Sequence, residues 1–156
     1  IQGHLVLGAF VMRSPWFLSA LAASLVSLSA CAGQETVAPA APTQAVFVGH
    51  PVSLIDVQGR CTLVKPDQSH LALDMEWPCQ FSLGPDKQLR VETFNQVPIF
   101  LVERSEHMPA PSRDCLTKIQ AVRLVKETLE VSDVSQFASC GPGQWDQKMY
   151  TALFRW

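Results

Sequence analysis

The sequence predicts a mainly β domain: a small antiparallel sandwich or barrel-like sheet with a short C-terminal helix and two disulfides, with α+β as the nearest alternative. Three observations carry this prediction. From Leu71 to Leu83 the odd positions are Leu71, Leu73, Met75, Trp77, Cys79, Phe81 and Leu83, and the even ones between them are Ala72, Asp74, Glu76, Pro78, Gln80 and Ser82. That is the period of two of a strand with one buried face. Other short apolar runs follow each other with turn residues between them, the pattern of a sheet-on-sheet fold. Four cysteines lie in the same region, Cys61, Cys79, Cys115 and Cys140, an even number that suits two bridges. The chain has 156 residues, a one-domain length. Its 14 acidic and 12 basic residues leave a formal charge of −2. A nucleic-acid binder would need a basic stripe to release phosphate counterions, so that class is excluded.

In chain order, the first element is a leader. Met12 and Arg13 precede an uncharged run from Trp16 to Ala30, the n-region and h-region of an export signal. Met12 is the expected native start, with residues 1–11 upstream of it. The run from Pro15 to Cys31 is shorter than the ~20 apolar residues that a spanning helix requires. Its end, Leu28-Ser29-Ala30-Cys31, resembles the lipobox of bacterial lipoproteins. The resemblance implies cleavage before Cys31, acyl chains on its sulfur, and membrane attachment through them. Several chains anchor firmly where one is marginal, at ~0.8 kcal/mol per buried methylene. Ala32 stands where an Asp would imply inner-membrane retention, so the resemblance implies an outer-membrane anchor facing the periplasm. The expected organisation is therefore residues 12–30 as signal, 31–45 as lipidated cysteine and Ala/Pro tether, and 46–156 as one disulfide-stapled domain. The tether could reach roughly 40 Å if semi-extended.

Within the domain, strands are expected at Val52–Val57 and Cys61–Lys65, around Gln58-Gly59-Arg60. The turn Pro66-Asp67-Gln68-Ser69 leads into the Leu71 strand, which is at an edge or broken at Pro78. Gly84-Pro85-Asp86-Lys87 turns the chain again, and strands follow at Leu89–Phe94 and Val97–Val102. Two readings fit Thr117–Ser132. Leu116, Ile119, Val122, Val125 and Leu129 could line a helix. In the preferred reading they form a hairpin with a loop at Val125–Thr128, setting Leu124 opposite Leu129 and Val122 opposite Val131. That loop lacks the usual Gly, Asn or Asp. The same register puts Cys115 opposite Ala138 and so pairs it with Cys140. Cys61 with Cys79 follows by elimination. After Gly141-Pro142-Gly143, Trp145, Met149, Ala152, Leu153 and Trp156 recur at helical spacing and are expected to cover the sheet.

The search for chemistry returns little. His70, Asp74 and Glu76 share one strand face, but His70 and Asp74 would lie about 13 Å apart, too far for one ion. A zinc site is not expected, because the cysteines show no C-x-x-C and no His at ligand spacing. Ser105, His107 and Asp114 fall in an expected loop, Arg104–Asp114, with no G-x-S-x-G around the Ser. The domain is therefore read as non-enzymatic, with no cofactor and no metal. The leading function is a lipid-anchored binding or accessory module of the bacterial envelope with an envelope protein as partner. Its partner-binding loop is placed at Arg104, Ser105, Glu106, His107 and Met108. Alternatives are an inhibitor of a hydrolase such as lysozyme, by analogy of architecture, a small envelope hydrolase, and a structural peptidoglycan-binding lipoprotein.

Overall fold

The structure, a computed structural model, describes residues 40–156. The expected leader, the lipobox-like residues with Cys31 and the expected tether up to residue 39 lie outside the described residues. Among those described, no helix is long and apolar enough to cross a membrane.

Two antiparallel sheets form the domain. The first has the order β1-β2-β3-β4, with β1 at Gln44–Phe47, β2 at His50–Val57, β3 at Arg60–Val64 and β4 at His70–Glu76. The second has the order β5-β7-β8-β9, with β5 at Gln80–Phe81, β7 at Val97–His107, β8 at Cys115–Val125 and β9 at Thr128–Phe137. A short β6, Glu92–Phe94, also pairs with β7. Both expected disulfides are present, Cys61–Cys79 and Cys115–Cys140.

The alternating run from Leu71 divides at Pro78, which has no N–H for a ladder. Its first half is β4, and its second half crosses to the other sheet as β5. Leu73, Met75, Cys79 and Phe81 are buried, as the alternation requires. They meet Phe47, Leu54, Leu63, Phe100 and Val102 in the core between the sheets. There Phe100 receives Phe47 and Phe81 edge-on, at 4.7 and 5.7 Å between ring centroids. Such pairs contribute ~0.5–1.5 kcal/mol beyond their buried area.

The run Ile99-Phe-Leu-Val102 is apolar without alternation because β7 is buried on both faces. Phe100 and Val102 point to the first sheet. Ile99 and Leu101 point the other way, into a second cluster with Ile119, Ala121 and Tyr150. The C-terminal segment supplies the cover for this outer face.

The preferred hairpin forms, with Leu124 opposite Leu129 and Val122 opposite Val131. The loop is tighter than expected: Val125 pairs with Thr128, leaving Lys126 and Glu127 as a two-residue turn, both at positive φ. Beyond Val122 a bulge shifts the register by one. The Ala121 N–H, out of the ladder at the bulge, is taken by Ser132 Oγ at 2.9 Å. Gln120 beside it ties the sheets together. Its Oε1 accepts from Asp74 N at 2.8 Å, and its Nε2 donates to the Ser132 carbonyl at 2.7 Å.

Besides shifts of one or two residues at β2 and β3, four boundaries differ from expectation. The sheet begins at Gln44, inside the expected tether, and Phe81 N already bonds the Pro42 carbonyl at 2.8 Å. The expected strand Leu89–Phe94 shrinks to Glu92–Phe94, because Arg90 N bonds the Ser82 carbonyl and leaves the β7 ladder. Instead of ending at Val102, β7 runs on to His107. The C-terminal helix, α1, is a single turn, Lys148–Thr151. Trp145, Met149 and Leu153 do pack on the sheet, but the fully buried anchor is Tyr150, and Trp156 is half exposed.

Candidate functional site

Three tight connections converge at one end of the sandwich: Val48-Gly49 after β1, Pro66–Ser69 after β3, and Lys126-Glu127 after β8. Between them lies a cleft of about 500 Å³. Phe47 and Val52 of the first sheet and Leu124 and Leu129 of the second form its apolar floor. Val48, His50, Lys65, Asp67 and Glu127 stand at its rim. Asp67 accepts hydrogen bonds from Ser69 Oγ and Ser69 N, and those bonds hold its carboxyl below the ordinary range. The rim thus presents an amine and two carboxylates over an apolar floor. That volume lies within the 300–1,000 Å³ typical of ligand pockets.

Val48 is unusual at this rim. It is β-branched, it sits at φ 49°, and it is 52 % exposed. A branched Cβ is disfavoured in the left-handed region. The two-residue turn between Phe47 and His50 imposes this region on Val48, as the β8–β9 turn does on Lys126 and Glu127.

The outer face of β7 and β8 is differently built. Glu103, Ser105 and His107 of β7 alternate onto one face, and the chain from Ser139 to Trp145 is fastened over them. The Glu103 side chain, 1 % exposed, accepts from Trp145 Nε1 at 2.9 Å and from Gly143 N at 3.2 Å. Ser105 Oγ accepts from Gly141 N at 2.9 Å and donates to Thr117 Oγ1 at 2.8 Å, whose own proton goes to the Ser139 carbonyl at 2.6 Å. Burial pushes the Glu103 carboxyl above its ordinary range, against the pull of its donors. Arg90 bridges from the other side, bonding the Trp145 carbonyl and Glu92 and lying over the Tyr150 ring at 5.3 Å. These polar groups are occupied in holding the segment down.

The sequence-level candidates separate accordingly. Arg104, Ser105, Glu106 and His107 belong to β7, and only Met108 begins the loop, so the expected partner-binding loop is mostly strand. Ser105 and His107 face the same way, because the expected loop is strand here and a strand repeats every two residues. They do not assemble with Asp114, which is held by Ser112. His70, Asp74 and Glu76 stay exposed along β4. Asp74 faces Arg60 at 3.7 Å, and Glu76 pairs with Lys118 at 2.8 Å, which lowers its carboxyl's pKa. Although no His stands at ligand spacing from a cysteine in the sequence, β7 and β8 pair His107 directly with Cys115.

The fold and cleft define a disulfide-bonded two-sheet β domain with an inter-sheet pocket at one end. Compared with protein-family models, curated proteins and solved structures, the chain finds no match.

Proposed function

We propose that the protein is a non-enzymatic binding module of the bacterial envelope, anchored by acyl chains on Cys31 in the outer membrane and facing the periplasm. The inter-sheet cleft takes the partner. The lipobox residues Leu28-Ser29-Ala30-Cys31 and the Ala32 after them support the anchor. The cleft carries the binding reading: a formed apolar floor under a mixed-charge rim, with an exposed Val48 at its lip. A partner of matching chemistry is a short apolar segment of an envelope protein. Its side chains would fill the floor while Lys65, Asp67 and Glu127 meet its polar backbone.

The test is in-cell crosslinking of the full lipidated chain, with mass spectrometry of the products, for wild type and Val48→Asp. Asp tolerates the left-handed region better than Val, so the variant keeps the fold while charging the lip. One dominant envelope product, lost in Val48→Asp at unchanged melting temperature, is expected. Capture of a lysozyme in a one-to-one complex that ignores the substitution would favour the inhibitor reading. Equal yields of every other product from both chains would overturn the cleft as the binding site.

A further inference from the structure

His107, Cys115 and Cys140 form a cluster that the binding reading leaves unused. His107 Nδ1 lies 3.3 Å from Cys115 Sγ, and the donor atoms of all three residues lie within 4.8 Å of one another. Cys115 is buried, whereas His107 and Cys140 are exposed. We propose that reduction of Cys115–Cys140 opens a Cys₂His site for a zinc-class divalent cation.

The geometry requires little change. With Zn–N near 2.0 Å and Zn–S near 2.3 Å, a tetrahedral ion needs about 3.5 Å between nitrogen and sulfur and about 3.8 Å between the sulfurs. The His107–Cys115 separation already meets the first value. The sulfurs must part, and the Cys140 sulfur must also come about 1.3 Å closer to the His107 ring than the 4.8 Å that now spans the cluster; Cys140 lies on an exposed segment where its side chain can turn. The segment itself stays in place, because bonds on both sides of Cys140 are independent of the disulfide. Ser139 is held through Thr117 Oγ1 and Gly141 through Ser105 Oγ. The ligands thus remain gathered after the covalent link is gone, which is the condition for a preorganised site.

The reductant is a dithiol. Its first thiolate attacks the exposed Cys140 sulfur, forming a mixed disulfide and releasing Cys115 as a thiolate. Its second thiol then displaces Cys140 and leaves as a cyclic disulfide, so two electrons pass to the protein and two thiols result. The cation displaces their two protons and binds both sulfurs and the imidazole. The other bridge resists, since Cys61 and Cys79 are only 0 and 2 % exposed and offer no line of attack.

The test uses the full chain, reduced under native conditions with a water-soluble phosphine and desalted without oxygen. Two thiols per chain beyond any from Cys31 are expected, followed by one equivalent of Zn²⁺ held against a chromophoric chelator, and none by the oxidised protein. His107→Ala, an exposed change, should weaken binding by at least about tenfold. Co²⁺ in place of Zn²⁺ should show thiolate charge-transfer absorption. Release of four thiols beyond any from Cys31, zinc affinity equal to that of the oxidised chain, or a His107→Ala variant matching wild type would each overturn the assignment.

Discussion

Glu103 is the fastener most open to a decisive perturbation. Its carboxylate accepts from Trp145 Nε1 and Gly143 N inside a face that excludes water. Hydrogen bonds to charged groups contribute ~1.5–3 kcal/mol each. Truncation to Ala removes these two and a long third, from Gln80 Nε2 at 3.5 Å to the other oxygen, and part of that loss is offset because a buried charge goes too. The net cost is about 2–4 kcal/mol, which lowers Tm by roughly 8–16 °C at ~4 °C per kcal/mol. Glu103→Gln separates the two effects, since its amide oxygen can serve both donors without a charge. The pKa of Glu103 is raised in the fold by burial. The folded state therefore holds its proton more tightly than the unfolded chain. Its contribution is fully present below the ordinary carboxyl range and is lost as pH rises through the raised value. In that window wild type loses up to ~1.4 kcal/mol per pH unit relative to Glu103→Gln. Thermal melts of both chains from pH 4 to 8 provide the assay. The Gln variant should gain on wild type as pH rises. A constant difference, or one that shrinks with pH, would refute the argument from buried charge.

Three further perturbations follow from the same contacts. Gln120→Leu leaves the Asp74 N–H and the Ser132 carbonyl without their partner, at ~1–3 kcal/mol each; the urea midpoint should fall with an unchanged m-value. Lys126→Asn with Glu127→Gly relieves two residues at positive φ, each costing about 1 kcal/mol. Allowing for glycine's added entropy, the hairpin should gain about 1 kcal/mol in the same melt. The pair Cys61→Ala and Cys79→Ala removes a bridge across 18 residues, for a loss of about 3 kcal/mol in chemical denaturation.

Much of the sheet was legible because strands write themselves in a period of two. The Leu71–Leu83 alternation held through the crossover at Pro78, since each side chain kept facing the same core. Leu124 opposite Leu129 was legible for the same reason. The expected register missed the bulge at Ala121, which sets Thr117 opposite Phe137 and so moves Cys115 off Ala138 by one residue. That slip still left Cys115 beside Cys140, and Cys61–Cys79 followed by elimination. The two-residue turn was not, because Lys126 and Glu127 are poor type I′ residues and the strands impose the turn on them. Glu103 gave only a faint signal, a single acid closing the apolar run Ile99–Val102. A strand buried on both faces admits such an acid only where donors meet it. Tyr150 was missed because the helical stripe drew attention to Trp145 and Trp156, although one turn of helix cannot present both inward. The cleft could not be read at all: its floor comes from four strands, and its rim from turns nearly 80 residues apart.

The cleft as binding site is tested most directly by a photo-crosslinking residue placed in the full lipidated chain in cells, at Thr128 on the cleft wall or at Met108 beyond the end of β7. The account expects one partner adduct from Thr128, competed away by an excess of unlabelled chain, and background labelling from Met108. A specific adduct from Met108 with none from Thr128 would contradict it, and would return the partner surface to the opposite end of the sandwich.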